Sequence, residues 1–215
     1  MYTLFHTNPT RSNPYTMYTG REIHQLSDQD RYAIAQGIAN VERAVHGSIG
    51  YGQHASLSDI LGTVNHHKDV LVGVCYADEE DKIGGPYLGY FMGYEIDPDE
   101  GIFEEELDTF TDVTGITYEE LLRRIPMGKL FHLEDQARFP TEEAKREFRE
   151  MYGEALNYFQ SQGFGFIGEA RESTTYRLMK SGVYGNMSFL YEHKHPHYFG
   201  RGDHMYDLVA YWEKV

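Results

Sequence analysis

A chain of 215 residues can bury a core without disulfide or metal staples. Its 40% hydrophobic and 25% charged content is a globular balance that excludes general disorder. Nineteen bases against 34 acids give a net charge of −15, which speaks against a broad phosphate-binding surface and so against nucleic acid as a partner. No apolar run is long enough to predict a membrane span, and the first 30 residues show no leader pattern. Cys75 is alone, which excludes an intramolecular disulfide and cysteine zinc sites; a reducing, cytoplasmic setting is expected.

Residues 1–20 are rich in Thr, Asn, Pro and Tyr without a period, and read as an irregular arm before a single domain over 21–215. Residues 21–26 alternate weakly and predict a first strand. Ser27 with Asp30 forms a capping-box pattern before a helix whose apolar face includes Ile34, Ile38 and Val41. Ser56 opens a short second helix through Val64. The run VLVGVCYA, 70–77, and the alternating PYLGYFMGYEI, 86–96, predict a strand hairpin, with Cys75 a core residue.

From 77 to 120 there are fifteen acids against Lys82 as the one base, so nearly all of the excess charge is one local feature. Residues 97–128 form an acidic insertion with a helix predicted at Tyr118–Arg124. A solvated surface is the ordinary reading of such a run; attraction of a cationic substrate such as an amine is the sharper one. KLFHLEDQA, 129–137, alternates as a third main strand. Thr141, followed by Glu142 and Glu143, caps a long helix ending at Gly163. FGFIG, 164–168, is a short strand, 171–181 a short helix, and 183–193 and 204–212 two closing strands. The expected class is α/β (α+β): a mixed, mostly antiparallel sheet flanked by helices.

This order resembles the GNAT (Gcn5-related) N-acetyltransferase superfamily, most closely from Lys129 onward. LEDQARFPTEEAKREF resembles its fourth strand and coenzyme-binding helix. FIGEARESTTYRLMKSGVYG resembles the fifth strand, short helix and Gly turn, and MYDLVAYWEKV the closing strand. The resemblance implies an acyl-CoA-dependent N-acyltransferase, with acetyl-CoA the first donor to consider. Its partner would be an amine of a small molecule or a protein. The family's Arg/Gln-x-x-Gly-x-Gly/Ala pattern holds the coenzyme pyrophosphate on a helix N-terminus. Here that loop offers Glu143, Ala144, Lys145 and Arg146 or, one register back, Gln136, Ala137 and Arg138, without the glycines. Lys145, Arg138 and Arg146 would supply charge in their place.

Acyl transfer to an amine needs a base for the ammonium proton, a donor for the thioester oxygen and an acid for the leaving thiolate. His132 and Glu134 lie two apart on one strand face. Glu134 is the first choice of base and His132 the second, although either could simply be a polar neighbour. In the resemblance, a bulge within 133–137 opens backbone N–H groups to the carbonyl. Tyr176 is the nearest residue to the family's acidic tyrosine, and Ser173 stands near its asparagine. His193, His195, His197 and His204 are spaced as metal ligands can be, and His66-His67 forms a weaker pair. Pro196 interrupts the first set and no Cys or acid motif completes it, so no metal is expected. Two other readings stay open: a GNAT-fold enzyme with a non-standard donor or a nucleobase substrate, and a non-catalytic binding or inhibitory module. Edge strands and the aromatic tail are compatible with a homodimer, and no membrane partner is expected.

Overall fold

The computed structural model describes residues 14–46, 55–67, 69–77, 83–96, 110–126, 128–171, 176–183, 185–196 and 204–212. The strands are β1 (Tyr15–Thr19), β2 (Val70–Tyr76), β3 (Tyr87–Glu95), β4 (Lys129–Arg138), β5 (Phe164–Arg171), β6 (Met187–Pro196) and β7 (His204–Trp212). They form one sheet in the order β1-β2-β3-β4-β5-β7-β6, parallel at β4–β5 and antiparallel at β1–β2, β5–β7 and β6–β7. The helices are α1 (Gly20–Gln25), α2 (Asp28–His46), α3 (Leu57–His66), α4 (Tyr118–Arg124), α5 (Glu142–Gln162) and α6 (Arg177–Lys180), with a further helical stretch at 110–114. Two compact units result: Met1–Phe91 with Gln136–Tyr152, and Met92–Asp135 with Gly153–Val215.

In the first unit, β2 is buried along its whole length. This explains its unbroken apolar run: both of its faces are covered. Tyr90 of β3 donates its hydroxyl to the buried carboxylate of Glu42 on α2 at 2.6 Å. The next residue, Phe91, meets Tyr152 of α5 edge-on at 5.9 Å. Neighbouring strand residues point to opposite faces, so α2 and this part of α5 cover opposite faces of β3. Cys75 lies 3.6 Å from the Met151 sulfur and is fully buried; burial pushes its thiol far above the ordinary range, which makes it a core residue.

The second unit is built on an aromatic cluster. Phe131 of β4 lies 4.3 Å from Phe159 of α5, Phe159 lies 4.9 Å from Phe166 of β5, and Phe166 lies 5.2 Å from Trp212 of β7. These edge and tilted contacts each add about 0.5–1.5 kcal/mol beyond area burial.

Three sequence expectations change. Residues 21–26 are not a strand: α1 occupies Gly20–Gln25, started by Thr19, whose backbone N–H and hydroxyl both bond Glu22. That Thr-x-x-Glu pattern is a helix signal that outweighs weak alternation. Tyr15–Thr19, placed in the arm, pairs with β2 as β1. Of the short helix predicted over 171–181, Arg177–Lys180 is helical and Arg171 belongs to β5; residues 172–175 lie outside the described set.

His67 follows α3, and its carbonyl bonds the His24 imidazole at 3.0 Å. Burial, with His66 adding, holds the His67 imidazolium below its ordinary pKa. The unfolded chain therefore takes up a proton near pH 6.5 before the folded one does. Stability from this site is present above that pH and is lost as pH falls from it toward the lowered folded value. Thermal unfolding followed from pH 7.5 to 5.5 should show a shallower loss in His67→Gln than in the parent. Equal slopes would remove this assignment.

Candidate active site

The β4–β5 ladder runs from Lys129 opposite Phe164 to Leu133 opposite Gly168 and ends there among the described residues. Both strands continue, β4 to Arg138 and β5 to Arg171. β5 stays tied to β7 on its other side, with Glu169 opposite Asp207 and Ala170 opposite Tyr206. Beyond Leu133 the two strands show no further pair with each other among the described residues. An extended amide-bearing ligand can lie along such a strand as another strand does.

On its other side β4 meets β3. At one end Tyr94 meets the His132 ring edge-on at 5.5 Å, and the Ile96 N–H donates to the Leu130 carbonyl at 2.8 Å. At the other end the Phe139 N–H donates to the Leu88 carbonyl at 2.9 Å, and a Cβ on Gly89 would stand 2.8 Å from the Arg138 Cβ.

His132 is half-buried and Glu134 exposed, two positions apart on β4. The register His132–Ile167–Val209–Tyr191 runs straight across β4, β5, β7 and β6. Alternation puts Glu134 on the face that carries His132 and Tyr94.

The start of α5 differs from the expected anion cradle. Thr141 caps the helix as the sequence indicated, accepting the Ala144 N–H on its hydroxyl at 3.2 Å. Ala144 is fully buried, so its N–H serves the cap. Glu142 and Glu143 occupy the first turn. Lys145 bonds Glu142 and holds its carboxyl below the usual carboxylate range, with Arg138 and Arg149 contributing more weakly. Arg146 bonds the buried Glu147 at 2.7 Å. Gln136 and Ala137 precede this turn on β4, half-buried and buried respectively.

Tyr176 lies over the other side of the second unit's sheet. Its ring stacks on Tyr206 at 3.8 Å, nearly parallel to it, and its hydroxyl donates to Glu192 of β6 at 2.6 Å. Lys180 reaches the same carboxylate oxygen at 2.7 Å and sits 3.7 Å above the Phe189 ring. The phenol proton is thus directed to the β6 edge. Ser173 and His197 lie outside the described residues, and no group of three or more His, Cys, Asp or Glu among the described residues is placed to hold a metal. The parts that sequence reasoning missed are Glu192 and Tyr206, which fix Tyr176, and the glycines flanking β4. GYFMGYE held a usable signal for the latter, because glycines inside a strand mark close backbone approach.

No protein-family model matches the chain, and no curated protein matches it in sequence. Solved structures do resemble it. NAA60 of Arabidopsis thaliana in complex with acetyl-CoA is 12% identical, with a TM-score of 0.51 over 92% of this chain and 98% of that one. The ribosomal-protein-S18-alanine N-acetyltransferase of Escherichia coli is 9% identical, with a TM-score of 0.50 over 94% and 96%. The protein smu.2055 of Streptococcus mutans is 12% identical, with a TM-score of 0.50 over 92% and 98%. The chain has the GNAT fold, as its element order implied.

Proposed function

We propose that the protein is an acyl-CoA-dependent N-acyltransferase, with acetyl the first acyl group to consider, acting on an amine of a small molecule or protein. The observation that supports this reading is the end of the β4–β5 ladder at Leu133, next to Glu134. The parted strands would take the amide-rich arm of the coenzyme. Backbone N–H groups of β4 would face the thioester oxygen, and Glu134 beside them would take the ammonium proton. The freed amine adds to the thioester carbonyl. Collapse of the adduct breaks the C–S bond, and the proton remaining on nitrogen passes to the leaving thiolate. His132 is the second choice of base. The Tyr176 hydroxyl donates its hydrogen bond to Glu192 and is assigned no step.

The diphosphate would rest on Arg138 and Lys145. The Lys145–Glu142 pair is solvent-exposed, so exchanging its partner costs little. Arg146 stays with Glu147. The helix turn itself contributes less than usual, since Thr141 uses the Ala144 N–H and two glutamates share the first turn. These features are what favours a second reading, a non-catalytic module or an enzyme with another donor. Calorimetric titration with acetyl-CoA, and with free CoA in parallel, separates the two. Micromolar binding is expected for both ligands; no binding of either would overturn the acyl-CoA reading in favour of the second.

A further inference from the structure

The two outer strands of the sheet are built differently. Among the described residues β6 pairs with β7 alone and β1 with β2 alone. β6 carries the devices that keep an outer strand from pairing with another chain. Its register shifts between Phe189 and Tyr191, Glu192 and Lys194 put charges on it, and it ends at Pro196. β1, with the sequence YTMYT, has no charge, no proline and no shift in its register with β2.

The hydrogen-bond pattern says which groups β1 turns outward. The Tyr76 N–H donates to the Pro14 carbonyl at 2.8 Å, and the same register sets Thr16 opposite Val74 and Tyr18 opposite Val72. Opposed residues of an antiparallel pair alternate between bonded and non-bonded. Thr16 and Tyr18 therefore direct their backbone groups to β2, and Tyr15, Met17 and Thr19 direct theirs to the outer side. The Thr19 N–H agrees with this direction: it bonds the Glu22 carboxylate of α1 at 2.9 Å. Met17 is the central residue of the edge and is half-buried.

We propose that β1 is a homodimer interface, in which two copies of the chain pair β1 antiparallel about a two-fold axis at Met17. In that register Met17 stands opposite its own counterpart, and the two residues exchange both N–H···O=C bonds. Thr16 falls opposite Tyr18, and Tyr15 opposite Thr19. Both pairs set an aromatic ring against a β-branched side chain, a favourable cross-strand combination. The strand is thus its own complement, as an isologous contact requires, and this selects a second copy as the occupant. Because the Thr19 N–H already serves Glu22, the pairing stops there, before α1. Five residues from each copy make a small interface, so a weak, concentration-dependent dimer is expected. This interface is independent of the acyl-transfer reading.

The test is sedimentation of the full chain from about 5 to 500 μM, where the mass should rise from monomer toward dimer. Met17→Lys and Met17→Glu each set like charges opposite one another at the axis, so each variant alone should stay monomeric. An equimolar mixture of the two should dimerise, because the axis then pairs opposite charges. Met17→Pro removes the outward N–H and leaves the β1–β2 bonds intact, so it should be monomeric and melt with the dilute parent. Hydrogen exchange at the Met17 amide should be fast in the dilute parent and slow in the concentrated one. A parent that stays monomeric throughout would overturn the proposal, as would a dimer that survives in all three variants. A mixture no more associated than its two components would overturn the register centred on Met17. Full protection of the Met17 amide in the dilute parent would show that the edge is covered within one chain, and would overturn the interface.

Discussion

Gly93→Ala is expected to destabilise the protein by about 3 kcal/mol, the upper part of the range for overpacking a filled site. A Cβ at this position would stand 2.2 Å from the His132 carbonyl oxygen and 2.6 Å from the Phe131 ring. Real side chains do not tolerate the first distance, and its partner is backbone, so no rotamer change relieves it. Either β3 and β4 separate locally or Phe131 leaves the aromatic cluster it forms with Phe159 and Phe166. For a chain of this length each kcal/mol lowers the melting temperature by about 2–4 °C, so a fall of roughly 6–12 °C is expected. Gly62→Ala is the internal comparison. Nothing lies within 4 Å of its added Cβ, and it sits inside α3, so it should hold or raise stability by about 0.5–1 kcal/mol. A Gly93→Ala protein that melts with the parent would mean that β3 does not approach His132 as closely as described.

The contrast between Gly93 and Gly62 shows which part of the molecule sequence patterns reach. Apolar runs, alternation and cap residues located β2, β3, β4, β7, α3 and α4 to within a few residues. α1 was misread because six residues give too short a window for a period, and the Thr19–Glu22 cap decided the matter locally. The site is less legible. The end of the β4–β5 ladder at Leu133 leaves no mark on LEDQA; it is a relation between two strands that appears only when their register is known. The direction of the Tyr176 hydroxyl is set by Glu192, sixteen residues away, and by a stack on Tyr206 thirty residues away. Lys145 and Arg146 looked like coenzyme charges in the sequence, yet their partners Glu142 and Glu147 stand three residues and one residue away. Local charge pairing was visible in TEEAKREF, but whether a carboxylate of that run is buried, as Glu147 is, depends on packing.

Glu134→Gln should lower acyl transfer by about 10²–10⁴-fold, the range that a positioned general base contributes. The substitution keeps the size and the exposed position of the side chain and removes only the ability to accept the ammonium proton. Binding of acetyl-CoA should therefore persist in the variant, and this distinguishes loss of the base from loss of the site. Glu134→Asp should recover part of the rate, since the carboxylate remains but is shorter by one methylene. His132 supplies the competing outcome. It lies two positions away on the same face and is held edge-on by Tyr94. A loss confined to Glu134→Gln would leave His132 as a neighbour that shapes the face. A larger loss in His132→Gln than in Glu134→Gln would transfer the base assignment to the imidazole. Loss of rate together with loss of acetyl-CoA binding would point to a third possibility, that residue 134 supports the opened edge of β4 and takes no proton. The comparison is decisive because the two side chains share a strand face but differ in what holds them. His132 belongs to the paired part of β4, whereas Glu134 is the first residue beyond the last pair, Leu133 with Gly168. A base that must reach an amine arriving between parted strands belongs on the parted side of that boundary.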